Sequence, residues 1–218
     1  MDFYIIGIVA LCVFYAAMIL WEKYRYAGTS GNNVALSRTD DCIMLVLEPC
    51  RKIIGTALDC MAEGNVTEVC KNHRTAGAIL YSLDKRLKEF SHSADSKDVF
   101  KLVYVNYMLE CADKISETAR HMVTHPTYGI SIADKCEIQS VRKYIDAMLK
   151  NVGTPADFSV VVVTAVDNKT FLEYIISERS KSMTYADFDD SSVAYSYLRL
   201  LYYLHSFVNS FHRAISTS

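Results

Sequence analysis

Apolar residues recur at alternating intervals of three and four through most of this chain, and this spacing restricts what the chain can fold into. Because 3.6 residues make one helical turn, side chains at such intervals share one face of an α-helix and can be buried together. The pattern therefore predicts an all-α fold. The expected stripes are Ile43, Leu47, Cys50, Ile54, Ala57 and Met61; Val69, Ala76, Leu80, Leu83, Leu87 and Phe90; Leu102, Val105, Leu109, Ala112, Ile115, Ala119 and Met122; Ile138, Val141, Ile145, Met148 and Val152; Ala165, Leu172 and Ile176; and Tyr197, Leu201, Leu204, Val208, Phe211 and Ile215.

Residues that end or begin helices lie between these stripes. Gly64 and Asn65 predict a C-cap followed at once by an N-cap, and the turn residues at 126–129 close the third stripe. The sequence Thr-Pro-Ala-Asp at 154–157 predicts the start of the fifth helix, and an aspartate at 189–190 predicts the start of the sixth. Six helices in two sets of three are expected.

The four valines at 160–163 leave a strand open as an alternative, because β-branched residues favour strands. The N-cap signal before them and the apolar positions Ala165, Leu172 and Ile176 after them favour a helix. The fifth element is therefore predicted to be helical.

The N-terminal stretch has a different character. From Phe3 to Trp21 the chain has 19 residues without a charge, which at helical rise cover roughly 28 Å, about the hydrocarbon thickness of a bilayer. Lys23 and Arg25 follow, so the stretch predicts a transmembrane anchor with the remaining chain in the cytoplasm. A cleaved signal peptide and a buried core helix are the alternatives. The flank at 22–27 has no small-x-small cleavage pattern, and Met1 and Asp2 before the stretch carry no positive side chain.

The chain thus divides into an anchor with its flank at 1–27, a polar linker at 28–33 and a six-helix domain at 34–218. Within that domain, the first bundle is expected at 34–125 and the second at 131–218. The protein is accordingly expected to be a single-pass protein of the cell membrane with a cytoplasmic helical domain.

Charge and cysteine content argue against several classes of function. The chain has 23 Lys and Arg against 25 Asp and Glu, so it has no excess positive charge to neutralise a nucleic-acid backbone. Its seven cysteines form no CxxC pair and have no histidine partners at zinc spacing, so reduced, mostly buried thiols are expected. Glycine-rich phosphate-binding motifs are absent from the sequence. No cofactor and no nucleic-acid partner are expected.

Segments of the third and sixth helices relate this chain to a known family. Residues 109–119 (LECADKISETA) and 201–209 (LYYLHSFVN) resemble the corresponding helices of the PhoU domain. Residues 33–36 and 61–65 are similar to the entry and end of its first helix. More specifically, 33–218 resembles the PhoU-like cytoplasmic tail of bacterial sodium/phosphate cotransporters. The resemblance implies two tandem three-helix bundles and a regulatory role in phosphate transport without enzymatic activity.

The acidic motif of that family is incomplete here. The resemblance implies E/D-x-x-x-D in the third helix of each bundle, where carboxylates gather metal ions. Asp113 takes the final position of the first motif, but Leu109 takes the first position; in the second bundle the corresponding stretch has His205 and Asn209. Too few carboxylates remain, so no metal site is expected. The weak ligand candidates are Glu110, Asp113 and Glu117.

Two other groups of residues carry side chains that could form a chemical site. His121 and His125 could share a metal with Glu117, but a histidine pair at a helix C-terminus more often interacts with the helix dipole. Cys111 beside Asp113 has no loop nearby that would stabilise an oxyanion. The chain is expected not to be an enzyme.

Aromatic residues of the last helix indicate protein binding. Tyr202 and Tyr203 lie beside the predicted core stripe and are candidates for a partner-binding face. The sequence predicts a membrane-anchored regulatory or adaptor protein linked to phosphate uptake. Its expected partners are the lipid bilayer, a membrane protein such as a phosphate transporter, and further copies of itself in a homo-oligomer. The alternative is a structural helical subunit of a larger membrane assembly without phosphate signalling.

Overall fold

Six α-helices form the part of the protein that the structure describes. The computed structural model describes residues 39–92, 94, 96–150, 158–184, 187 and 192–216. All six helices belong to one compact unit, Arg38–Ser218. The helices are α1 (Thr39–Glu63), α2 (Val66–Ser91), α3 (Ser96–Thr124), α4 (Ile132–Lys150), α5 (Phe158–Ser182) and α6 (Val193–Ser216).

The predicted stripes are the buried faces of these helices. Every stripe residue that the structure describes is buried, except Phe90, which is half-buried. The valines at 160–163 lie within α5, so the helical interpretation of this segment is confirmed and the strand is excluded. The predicted helix starts at 154–157 and 189–190 lie outside the described residues.

The junction between α1 and α2 has the predicted caps. Gly64 has a φ of 67°, a left-handed conformation that glycine adopts without strain. The side-chain oxygen of Asn65 accepts a hydrogen bond of 3.1 Å from the backbone N–H of Glu68, which satisfies a free donor in the first turn of α2. One helix therefore ends and the next begins within two residues.

Alanine at Gly64 is expected to lower the free energy of unfolding by about 1 kcal/mol, because a side chain is strained at this positive φ. Gly77→Ala is the matched control: Gly77 lies inside α2, and an added Cβ would meet no atom within 4 Å. That control is expected to raise the free energy of unfolding by about 0.5–1 kcal/mol, because alanine has a higher helix propensity than glycine. Urea unfolding followed by circular dichroism measures both. Effects of the same sign would contradict the left-handed cap.

The two sets of three helices pack differently. In the first set every pair of helices is in contact, whereas in the second set α5 packs on both α4 and α6, and the described backbones of α4 and α6 make little direct contact. The most extensive packing of all joins the sets, between α3 and α6. The described helices therefore form one six-helix body with a shared core, and not two separately closed bundles.

A second seam joins the sets through α1 and α4, and charged side chains line it. Arg51 of α1 donates to Asp146 at 3.0 Å, and Arg142 of α4 lies 3.3 Å from Asp59 of α1. The Arg142 guanidinium covers Gly55, where an added Cβ would lie only 2.8 Å from Cζ. The missing side chain at Gly55 therefore lets Arg142 lie across α1 and reach its carboxylate partners.

The predicted fold class is wrong in one respect, because it includes a transmembrane helix. In the part of the chain that the structure describes, none of the six helices is long and apolar enough to cross a bilayer, because each carries polar side chains on its exposed face. The stretch from Phe3 to Trp21, like Lys23 and Arg25, lies outside the described residues. The fold class is therefore corrected to all-α with six described helices.

Candidate functional site

A groove between α2, α3 and α6 opens on the described surface, with a volume of about 810 Å³. We call it the α3 groove, since α3 supplies more of its described lining than α2 or α6 does. The residues that line it are Gly77, Leu80, Tyr81 and Asp84 of α2; Val103, Tyr104, Asn106, Tyr107, Leu109, Glu110 and Asp113 of α3; and Asn209, Ser210 and Arg213 of α6.

Helix α3 has a second apolar stripe, and this stripe is exposed. Phe100, Val103 and Tyr107 follow one another at intervals of three and four and remain 67%, 57% and 48% exposed. Tyr81 of α2 faces the same groove and is 73% exposed. Apolar and aromatic side chains clustered on a surface in this way mark an interaction site, whereas single exposed ones do not.

Carboxylates continue this stripe toward the C-terminal half of α3. Glu110 is exposed and Asp113 is half-buried, and among the described residues neither has a basic side chain within ion-pair distance. Asp84 is bound by Lys88 at 2.6 Å across one helical turn. The α3 groove therefore has an aromatic half, and an acidic half with two carboxylates that lack a cationic partner in the described structure.

The α6 wall of the groove is polar. The Arg213 guanidinium lies 5.8 Å from the centre of the Tyr104 ring, a distance that favours a cation–π interaction. Asn209 lies one turn before it and lines the same wall. The structure thus brings Asn209 of α6 to the same groove as Glu110 and Asp113 of α3, although they are almost a hundred residues apart in the chain.

The three weak metal-ligand candidates do not converge. Glu117 is engaged by Lys114 at 2.9 Å, and this hydrogen bond and charge hold the pKa of Glu117 below its usual range. Glu110 and Asp113 line the groove, but in the part of the chain that is described no three His, Cys, Asp or Glu side chains are close enough to hold one ion. His121 and His125 have ring centres 6.2 Å apart at the end of α3.

Tyr202 and Tyr203 are not among the described residues that line the α3 groove. Tyr202 is 50% exposed and borders a shallow depression of about 270 Å³ between α5 and α6. Tyr203 is half-buried, and its hydroxyl accepts a hydrogen bond of 3.3 Å from Arg199. In the same depression His205 lies 3.1 Å from Glu173. Their proposed role in partner binding stays a prediction.

The described cysteines are free thiols in largely apolar surroundings. Cys42, Cys50, Cys60 and Cys111 are buried, as expected, whereas Cys136 is exposed. Burial raises the pKa of the Cys50 and Cys111 thiols to about 12, so both are protonated at neutral pH. Cys111, weighed above as a nucleophile beside Asp113, is therefore an unreactive core residue.

Comparison with known proteins finds no relative of this chain. No family model, no curated protein and no solved structure matches this chain. The resemblance to the PhoU domain stays a prediction based on the residues of the third and sixth helices.

The exposed stripe on α3 was missed by the sequence analysis. The stripe through Leu102, Val105 and Leu109 accounts for burial, so the neighbouring apolar residues Phe100 and Val103 were not assigned a face. The available signal was that α3 is apolar on two faces. Although α3 packs on α1, α2 and α6, the residues of its second face stay exposed.

Proposed function

We propose that this chain is a non-catalytic helical adaptor that regulates phosphate uptake by docking a segment of a phosphate transporter in the α3 groove. The observation that carries the proposal is the exposed stripe of Phe100, Val103 and Tyr107 on α3, of which Val103 and Tyr107 line this groove. Burial of such rings by a partner removes apolar surface from water, at roughly 25 cal/mol for each Å². The groove thus offers binding energy to a protein partner.

The chemistry of the groove supports binding more than catalysis. Among the described residues, its lining contains neither histidine nor cysteine, and the hydroxyl-bearing Ser210 is only 4% exposed. A carboxylate acts as a general base only when it lies beside a reactive group, and nucleophilic catalysis needs an activated nucleophile. The described lining supplies aromatic rings and carboxylates, which suit a partner's apolar and cationic side chains.

The link to phosphate rests on the resemblance to PhoU-like tails. The segments that carry this resemblance, 109–119 and 201–209, lie in α3 and α6, the two helices with the most extensive mutual packing. Both helices also line the groove. The proposal therefore places the regulatory contact on the same pair of helices as the family-like sequence.

Phosphate uptake by cells that produce this protein tests the proposal. Deletion of the gene is expected to change the initial rate of uptake severalfold, and Tyr81→Ala combined with Tyr107→Ala is expected to reproduce the deletion. Tyr174→Ala is the matched control, because Tyr174 of α5 is 65% exposed and lies outside the groove lining. A normal uptake rate after deletion, with no phosphate transporter recovered alongside the protein, would refute the regulatory function.

The incomplete acidic motif favours a second candidate, a structural subunit without phosphate signalling. His205 and Asn209 replace the carboxylates expected in α6, and His205 is already engaged with Glu173. This candidate predicts that deletion leaves phosphate uptake unchanged but releases other proteins from a stable complex. Sedimentation of that complex with and without the chain distinguishes the two functions.

A further inference from the structure

We infer that the occupant of the α3 groove is a basic amphipathic α-helix of the partner protein. This inference rests on the proposed function, which supplies a partner, and adds the shape and charge of the segment that docks. Helix-in-groove recognition places apolar side chains of the ligand at helical spacing against an apolar groove. Three features of the described surface favour it.

The first feature is the length and spacing of the exposed stripe. From Phe100 through Val103 and Tyr107 to Glu110, the residues advance by three, four and three along one side of α3. Ten residues of helix rise about 15 Å, so the stripe extends along almost three turns. A partner helix lying along it would contact the rings with side chains that recur every three or four residues.

The second feature is charge. The groove lining has three carboxylates, from Asp84, Glu110 and Asp113, against the single guanidinium of Arg213. Arg213 already lies over the Tyr104 ring, and Lys88 already binds Asp84. Glu110 and Asp113 remain for the ligand, so lysine or arginine on the flank of the docking helix would complement them.

The third feature is the openness of the walls. Tyr81, Val103 and Tyr107 are each about half exposed or more, whereas small-molecule sites bury most of their ligand. A second copy of this chain would bring its own three groove carboxylates, whereas a basic helix brings the positive charge that Glu110 and Asp113 lack. A basic helix from a different protein fits both the shape and the charge.

Fluorescence anisotropy with two labelled model peptides tests the inference on the purified full chain. The first peptide is a helix of about 18 residues, five turns, with leucine on one face and lysine on its flanks. The second has glutamate in place of every lysine. The lysine peptide is expected to bind at least about ten times more tightly, and its Kd is expected to rise as salt screens the carboxylates. Equal affinity for the two peptides, or binding of neither, would overturn the inference.

Groove variants locate the binding. Tyr107→Ala, and the pair Glu110→Gln with Asp113→Asn, are each expected to weaken binding of the lysine peptide about tenfold or more. The controls are Tyr174→Ala and Glu89→Gln, which change exposed residues outside the groove. All these side chains are at least partly exposed, so folding is expected to persist, and circular dichroism checks it. Unchanged affinity in both groove variants would place the peptide elsewhere and overturn the inference.

Self-association is measured in parallel by sedimentation equilibrium. A dimer that Tyr107→Ala dissociates would identify a second copy as the occupant and overturn the basic helix.

The peptide assay and the uptake assay test different proposals, so each proposal can be refuted without the other. Uptake that depends on Tyr81 and Tyr107 without selective peptide binding would leave the adaptor function intact and reject the basic helix. Selective peptide binding without any effect on uptake would reject the link to phosphate and keep the basic helix.

Discussion

Replacement of Phe207 by alanine is expected to lower the free energy of unfolding by about 3–5 kcal/mol. Phe207 is fully buried in α6, the helix that packs most extensively on α3 and also packs on α5. Truncation of the ring removes its transfer free energy and leaves a cavity that the surrounding helices fill only in part. A loss of this size is a large fraction of the stability of an ordinary domain.

Phe100→Ala is the matched control, because Phe100 is 67% exposed on α3. Its effect is expected to stay within about 0.5 kcal/mol. Urea unfolding followed by circular dichroism gives both free energies, and unchanged m-values would show that both variants unfold from the same compact state. Similar losses of unfolding free energy in Phe207→Ala and Phe100→Ala would contradict the described orientation of α6 or of α3.

Replacement of Arg179 by methionine is expected to lower the free energy of unfolding by about 1–2 kcal/mol at neutral pH. Arg179 of α5 pairs with Asp134 and lies 3.1 Å from Glu137, both in α4. It also lies 5.3 Å from the centre of the Tyr197 ring of α6, whose hydroxyl donates to Glu137 at 2.8 Å. This cluster joins the three helices of the second set, where α4 and α6 have little direct contact. The Arg179 side chain is 32% exposed, so solvent screening keeps the effect below that of a fully buried pair.

The effect of Arg179→Met is expected to depend on pH. Burial raises the pKa of Asp134, but hydrogen bonds from Ser131 and Arg179 outweigh it and leave the pKa below its usual value. A carboxyl group with a lowered pKa in the folded state stabilises the fold above its unfolded-state pKa, near 4 for aspartate. That stabilisation is lost as the pH falls through the folded-state value. The difference in stability between wild type and variant is therefore expected to narrow below about pH 4.

Unfolding by urea at pH 7 and in the acidic range measures this dependence. Lys181→Met is the control from the same helix, since Lys181 is exposed and pairs with Glu178 of its own helix, one turn away. Its stability is expected to stay close to that of wild type at both values of pH. A difference in the free energy of unfolding between wild type and Arg179→Met that stays constant from pH 7 into the acidic range would contradict this expectation. It would show that Arg179 does not stabilise the charged form of Asp134.

The helices and their buried faces were predictable because they depend on local spacing. The stripe in α6, with Tyr197, Leu201 and Leu204 among its members, is buried as expected, and so is its counterpart in α3. The caps at Gly64 and Asn65 were predictable for the same reason: each requires only a residue type and its immediate neighbours.

The α3 groove was not predictable in the same way. Val103 and Leu102 are adjacent apolar residues of α3, but Leu102 is 3% exposed and Val103 is 57% exposed. The spacing predicts that Leu102 is buried, but only the positions of α2 and α6 beside α3 turn the face of Val103 and Tyr107 into a groove. The candidates chosen from the sequence, Tyr202 and Tyr203, are not among the described residues that line this groove.

The sequence alone determined that this chain forms amphipathic helices and which face of each is buried, because helical periodicity and caps act within a few residues. Tertiary structure alone decided how the helices pair. It packs α3 on α6 and α1 on α4, and it brings Asn209 and Arg213 of α6 beside Glu110 and Asp113 of α3. Such contacts depend on which buried faces fit together across long stretches of chain, and the spacing of residues within one helix carries no information about that choice.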